Sequence, residues 1–266
     1  MEEEFHNHMR IPWHDYTRKS LGHPITEASL SEKASIIGRT GIMLLSCGTG
    51  AWRVRSSMNT LARELGITCT ADIGLLSIEY TCIDGGDCYT ESLCLFNTGV
   101  NTSKLYRMEL FVNKFATNCK KMSGDELHTL LDQIHEIHGF YSPPFLGLAA
   151  AVACCAFTFL LGGGPTEMFC AFLGAGAGNY LRAKMNQHHL TLFLCTAASV
   201  ALACVVYTIS FMALKSGFDV SIHHQAGYIC SMLFIIPGFP FITSGIDLAK
   251  LDMRSGMERL TYAIII

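Results

Sequence analysis

The sequence predicts an α+β cytosolic N-terminal domain followed by an all-α transmembrane bundle of five helices, the last apparently truncated. Three observations carry that expectation. Most charged residues lie in the part of the chain up to Glu136, and from Phe140 onward long stretches are uncharged. Charged residues make up 15% of the 266-residue chain, where soluble domains carry roughly 25%. The first half shows both helical and alternating apolar spacing, separated by turn residues. A boundary at Tyr141-Ser142-Pro143-Pro144 gives a loose polar N-terminus over 1–30, an α+β domain over 31–140 and a membrane domain over 141–266.

In the first half, Ser31 is placed to cap a helix over Glu32–Cys47 that buries Ala34, Ile37, Gly41, Leu44 and Leu45. Gly48-Thr49-Gly50 breaks it. A second helix puts Val54, Met58, Leu61, Ala62 and Leu65 on one stripe and stops at Gly66. Ile73–Ile83 alternates as a strand, Asp84-Gly85-Gly86 turns, and Cys88–Phe96 returns as the second arm of a hairpin. Leu105, Met108, Val112, Phe115 and Cys119 recur at helical spacing. Ser123 and Glu126 form a capping box for a last helix burying Leu127, Leu130, Leu131 and Ile134.

In the second half, apolar runs predict spans near 145–161, 168–181, 190–214 and 226–246, with a partial fifth over 257–266. That last run is too short to cross a bilayer, which takes about 20 apolar residues, so the chain reads as cut short within a helix. Basic residues set the orientation. Arg182 and Lys184 lie in one loop and Lys250, Arg254 and Arg259 in another, whereas Gly162-Gly163-Gly164-Pro165 has none. The basic loops and the N-terminal domain therefore face the cytoplasm, which agrees with a start, Met1-Glu2-Glu3-Glu4-Phe5, that lacks the features of a signal peptide.

Several function classes have little support. A net charge of -3 makes no electrostatic case for nucleic-acid binding. Twelve cysteines, scattered through apolar segments, fit reduced buried thiols, not the disulfide framework of a small secreted domain. His188-His189, His223-His224 and the trio His128, His135 and His138 match no metal-ligand spacing. Gly174-Ala175-Gly176-Ala177-Gly178 follows no strand and lacks a phosphate-loop lysine, so it reads as a close-packing stripe. No nucleophile–base signature points to an enzyme, and no cofactor is implied.

The candidate functional segment is Ile229–Arg259, an apolar run interrupted by Pro237-Gly238-Phe239-Pro240. Each proline removes a backbone donor and crowds the carbonyl four residues back, here on Leu233 and Ile236. In a membrane such carbonyls persist where protein or a water-filled cavity covers them, and broken helices there tend to hold substrates. Pro237, Gly238 and Pro240 are thus candidate substrate-binding positions, the alternative being a packing kink. Thr243 and Ser244 can add hydroxyl contacts or satisfy their own helix's carbonyls. Asn179, at the end of the glycine stripe, is a candidate cavity-facing amide. Asp247, about 15 Å along an ideal helix from Pro237, is either an ion-coupling relay or an interfacial charge paired with Lys250 or Arg254. Arg53 and Arg55 read as solvated, with anion binding the alternative. Glu258 reads as a helix-dipole partner.

Several motifs together resemble the threonine/serine exporter family, specifically its N-terminal-half proteins. They are Cys47-Gly-Thr-Gly-Ala51 followed by Arg53–Gly66, Leu161-Gly-Gly-Gly164, Ile236-Pro-Gly-Phe-Pro240, Ile246-Asp247 and Ser255-Gly256-Met-Glu-Arg259. The resemblance runs from about Ser31 to Ile266. It implies a bacterial inner-membrane exporter, driven by an ion gradient and not by ATP, whose second half is a separate small membrane subunit. Its implied substrates are threonine and serine or, for split members, small dicarboxylates such as succinate. The alternative is a membrane-anchored cytosolic sensor or regulatory domain without transport activity.

Overall fold

The computed structural model describes residues 11–17, 22–137, 141–188, 190–217 and 225–266. The chain divides into two compact units, Met1–Gly139 with Gly238–Tyr262, and Phe140–Pro237 with Ala263–Ile266. His138, His189, His223 and His224 lie outside the described residues.

The first unit is built around α1 (Leu30–Ser46), which is buried on every face from Glu32 to Leu45. A helix enclosed on all sides is a core helix. Against it pack α2 (Ala51–Glu64) and a three-stranded antiparallel sheet of β1 (Thr68–Ile73), β2 (Ser77–Asp84) and β3 (Asp87–Cys94), in the order β1-β2-β3. The register sets Cys69 opposite Cys82 and Ile73 opposite Ile78, and these four with Tyr80 and Leu93 form the buried face. Gly38 is what lets Tyr80 lie against α1, since a Cβ there would run into the Tyr80 ring. Next come α3 (Thr102–Lys114) and α4 (Gly124–His135). The Ser123–Glu126 capping box is formed in both directions, at 3.3 and 2.8 Å. The α2 stripe is buried as its spacing predicts, and Gly66 ends the helix at φ 72°. The strand expected over Ile73–Ile83 is instead the end of β1, a tight turn over Gly74–Leu76 and β2. In that turn the Gly74 amide donates to the Ser77 carbonyl at 2.8 Å.

A polar cluster closes the far side of α1. His14, on a short 3-10 turn (Trp13–Thr17), reaches Asp125 at 2.6 Å and Asp132 at 2.8 Å. Arg39 pairs with Asp132 and donates to the His128 carbonyl at 3.0 Å. The Ser35 hydroxyl lies 3.1 Å from His128 Nε2. Burial, with the Arg39 charge beside it, pushes His128 down to about 3, so its ring is neutral.

The predicted fold class needs correction. The described chain is mostly helical with one small sheet, and no N-terminal α+β domain stands apart from the later helices. Two of those later helices, α9 (Gly238–Ala249) and α10 (Met253–Ile265), pack with the N-terminal residues instead of completing a separate five-helix bundle. The reason is polar. These two helices and the turn between them carry Ser244, Asp247, Asp252, Arg254, Glu258 and Arg259, and residues 48–75 supply partners for most of them. Arg55 pairs with Asp252 and Asp72 with Arg254, while the Leu75 amide donates to Glu258 at 2.6 Å.

The second unit contains α5 (Pro143–Leu160), α6 (Pro165–Gln187), α7 (Leu192–Gly217), the short α8 (Gln225–Cys230) and a 3-10 turn (Leu233–Ile235). By length and composition α5 and α7 can each cross a membrane, and a third span results if Gln225–Ile235 and Gly238–Ala249 count as one bent span. Helix α6 lies between α5 and α7 by means of its glycines. A Cβ on Gly174 would fall 2.8 Å from the Ala203 carbonyl, and one on Gly178 2.8 Å from the Ser199 carbonyl. Close backbone approach of this kind is how small residues hold membrane helices together.

Candidate transport site around the broken helix

The apolar run does break where the prolines stand. Ile236, with φ -60° and ψ 118°, is extended, as a residue before proline prefers, and α9 starts at Gly238. Pro240 falls in the first turn of α9, where a missing N–H costs no helical bond. Two of the carbonyls before the break are engaged. Leu233 accepts the Ile236 amide at 3.2 Å, and Phe234 accepts the Arg182 guanidinium at 3.4 Å.

Beyond the break, α9 presents a buried polar face. Thr243 turns its hydroxyl onto the Phe239 and Pro240 carbonyls of its own helix, at 3.0 and 3.2 Å. Ser244 donates to the Gly256 carbonyl of α10 at 2.8 Å. Asp247 is fully buried and accepts from the Ala51 amide at 3.1 Å, the Trp52 amide at 3.5 Å and the Ser255 hydroxyl at 3.0 Å. Its ion-pair partner is Arg259, with Nε 3.4 Å away, and not Lys250 or Arg254. Lys250 instead stands 5.0 Å over the Trp52 ring.

This arrangement solves a local problem in the sequence. Helix α2 starts after Gly50, which has no side chain to cap the first N–H groups. Asp247 supplies the missing cap from the distant α9. Gly50 is what lets it approach, because a Cβ there would lie 2.7 Å from Asp247 Oδ1. Arg259 completes the network by donating to the Gly48 carbonyl at 3.1 Å and the Thr49 carbonyl at 2.7 Å. Buried charges are tolerated when they are paired and hydrogen-bonded, and both are.

A cleft of about 220 Å³ opens beside the network, lined by Thr49, Gly50, Trp52, Phe239, Thr243 and Asp247 among others. The buried Thr49 hydroxyl has no hydrogen-bond partner among the described residues.

Of the residues singled out from sequence, Gly238, Pro240, Thr243, Ser244 and Asp247 fall in the first unit. Pro237 and Asn179 fall in the second, where the Asn179 amide donates to the Leu146 carbonyl at 2.8 Å. Arg53 pairs with Glu109 at 2.8 Å and Arg55 with Asp252, so both are engaged by protein carboxylates. Glu258 lies past the first turn of α10, not at its N-terminus as expected, and is engaged by the Leu75 amide and Arg254. Thr49 and the network role of Arg259 have no local signature that marks them as site residues. The spacing of Ser255 and Arg259 shows only that both lie on one face of a helix.

The motif segments quoted from the sequence thus meet physically, Cys47–Ala51 with Ile246-Asp247 and Ser255–Arg259. Residues 35–266 match the family described as "Putative threonine/serine exporter" (ThrE). The chain belongs to the threonine/serine exporter family. It is 24% identical over 229 residues to "Probable succinate transporter subunit YjjP" of Escherichia coli (strain K12), covering 85% of this chain and 86% of that one. The protein of the same name from Klebsiella aerogenes is also 24% identical over 229 residues, covering 85% and 84%. No solved structure matches. A threonine/serine exporter family chain with two apolar helices long enough to span is a membrane protein of the transport class.

Proposed function

We propose that the chain is one component of a two-component, gradient-driven exporter in a bacterial inner membrane. Its substrate is threonine, serine or a small dicarboxylate such as succinate, and its second half is a small membrane subunit of the same family. The observation that carries this reading is the interrupted apolar helix at Ile236–Pro240 in a chain of the exporter family. The substrate range follows the family description and the names of the two relatives. The asymmetry of basic residues in the loops supports an N-terminal segment in the cytoplasm.

In this reading the substrate meets backbone groups at Pro237, Gly238 and Pro240, with Thr243 and the unpaired Thr49 hydroxyl in the adjoining cleft. Half-helix ends suit such a substrate, because exposed carbonyls attract an ammonium and the amide end of a helix attracts a carboxylate. Ser244 and Asp247 hold α9 in place. An ion-coupling role for Asp247 would require it to leave Arg259 and the α2 amides, so anchoring is the role its surroundings favour. Cells carrying the chain with its second subunit should release preloaded labelled threonine, serine or succinate faster than cells lacking both. Equal release for every one of these substrates would favour the membrane-anchored regulator instead.

A further inference from the structure

We propose that Glu167 is the carboxylate that takes up and returns the coupling proton, an assignment that rests on the gradient-driven exporter reading. Glu167 is the one acidic side chain among the described residues of the Phe140–Pro237 unit. It sits in the first turn of α6 and is 9% exposed. One carboxylate oxygen accepts the Gly164 amide at 2.9 Å, and the other lies 3.4 Å from the Gly227 amide of α8. From α7, the fully buried Tyr207 faces the same point. A Cβ added to Gly227 would fall 2.6 Å from the Tyr207 hydroxyl and 2.8 Å from Glu167 Cβ, so the glycine is what leaves room for both. Packed around Tyr207 are also the thiols of Cys170 on α6 and Cys230 on α8 and the Tyr228 phenol of α8, whose ring is 5.7 Å from that of Tyr207.

The contrast with Asp247 is in the partners. Asp247 faces a guanidinium, whereas the neighbours of Glu167 among the described residues are backbone N–H groups, a phenol and thiols. An ionisable side chain enclosed in apolar helices is costly and usually marks an ion or proton path. Two backbone amides, of Gly164 and Gly227, hydrogen-bond the carboxylate. With the orientation above, this end of α6 faces the outside. The carboxylate there takes a proton from hydronium in bulk water, becomes the neutral acid, and gives the proton back on the opposite limb of the cycle. No electrons move.

The plain alternative is that Glu167 is only the capping-box residue of α6. Glutamine serves that role equally well, so Glu167→Gln separates the two. In proteoliposomes holding the chain and its second subunit, the variant should lose substrate movement driven by a pH gradient. It should keep exchange of labelled for unlabelled substrate at equal pH. Retention of both activities, or loss of both in correctly inserted protein, overturns the assignment. If the variant does not insert, wild-type protein gives the answer through labelling with a hydrophobic carbodiimide, which modifies protonated buried carboxyls. Glu167 should be modified increasingly as pH falls, and Tyr207→Phe should shift that midpoint. A Glu167 that stays unmodified at every pH overturns the proposal. Wild-type vesicles without any gradient-driven flux would instead count against the exporter reading, with the carbodiimide profile still deciding the role of Glu167.

Discussion

Asp247 meets two helix amides, a hydroxyl and a guanidinium, and it, Ser255 and Arg259 are buried. Removing one member of such a buried pair strands the other, at about 3–5 kcal/mol. Asp247→Ala and Arg259→Ala should each lower the unfolding midpoint of detergent-purified protein by a stability loss of that order. The double variant should lose less than the sum of the two, because both remove the same interaction. Additive losses would show that the pair does not act as a unit. His14 makes a different prediction. Hydrogen bonds to Asp125 and Asp132 raise it above 6.5 against a smaller opposing effect of burial. A raised folded value means the contribution is fully present below the unfolded pKa and lost as pH rises through the folded one. His14→Gln should therefore be less stable than wild type near pH 5.5 and indistinguishable near pH 9, by under about 1 kcal/mol because the pair is half exposed. His128, held neutral down to about 3, is common to both proteins and cancels in the comparison. A pH-independent difference would contradict the assignment. None of these partners was legible in the sequence. Asp247 lies 196 positions from Ala51, and nothing local to either residue announces the other.

Most elements whose causes are local were readable, although the first helix is capped at Ser29 and already includes Ser31, the expected cap. The α2 stripe, Gly66 and the Ser123–Glu126 box each depend on residues within a few positions, and each forms as its spacing predicts. Of β1 only Ile73 falls in the strand expected from the sequence, because the turn at Gly74 lacks the paired turn residues that mark the next one at Gly85-Gly86. The pairing of α9 and α10 with the N-terminal unit was missed because their apolar residues read as membrane spans, while their polar face needed partners far along the chain. The break itself was readable from Pro237 and Pro240. If it serves transport, Pro237→Ala and Pro240→Ala together should abolish substrate release while membrane insertion stays normal. A packing kink predicts release within about twofold of wild type, since a stability change of a few tenths of a kcal/mol is all a tolerated helix repair need bring.

For the molecule as a whole, the uneven charge distribution was read as a domain boundary near Tyr141, and it corresponds to only part of the architecture. The apolar helices of 140–237 do form a unit, but the chain then returns to its N-terminal half through α9 and α10. The broken helix therefore stands where the chain passes from one unit to the other, with its first segment in one and its second anchored by Asp247 in the other. Within that unit Asp247 and Arg259 fix α9, the second part of the proposed transport segment. Gradient-driven export by this chain with its second subunit is the proposal on which the rest depends. It is tested most directly in proteoliposomes containing the chain and its second subunit, loaded with labelled threonine or succinate. Imposing a pH gradient should drive label across the membrane, and collapsing the gradient with a protonophore should stop it. Flux that is the same with and without the gradient, for every such substrate, would contradict the account.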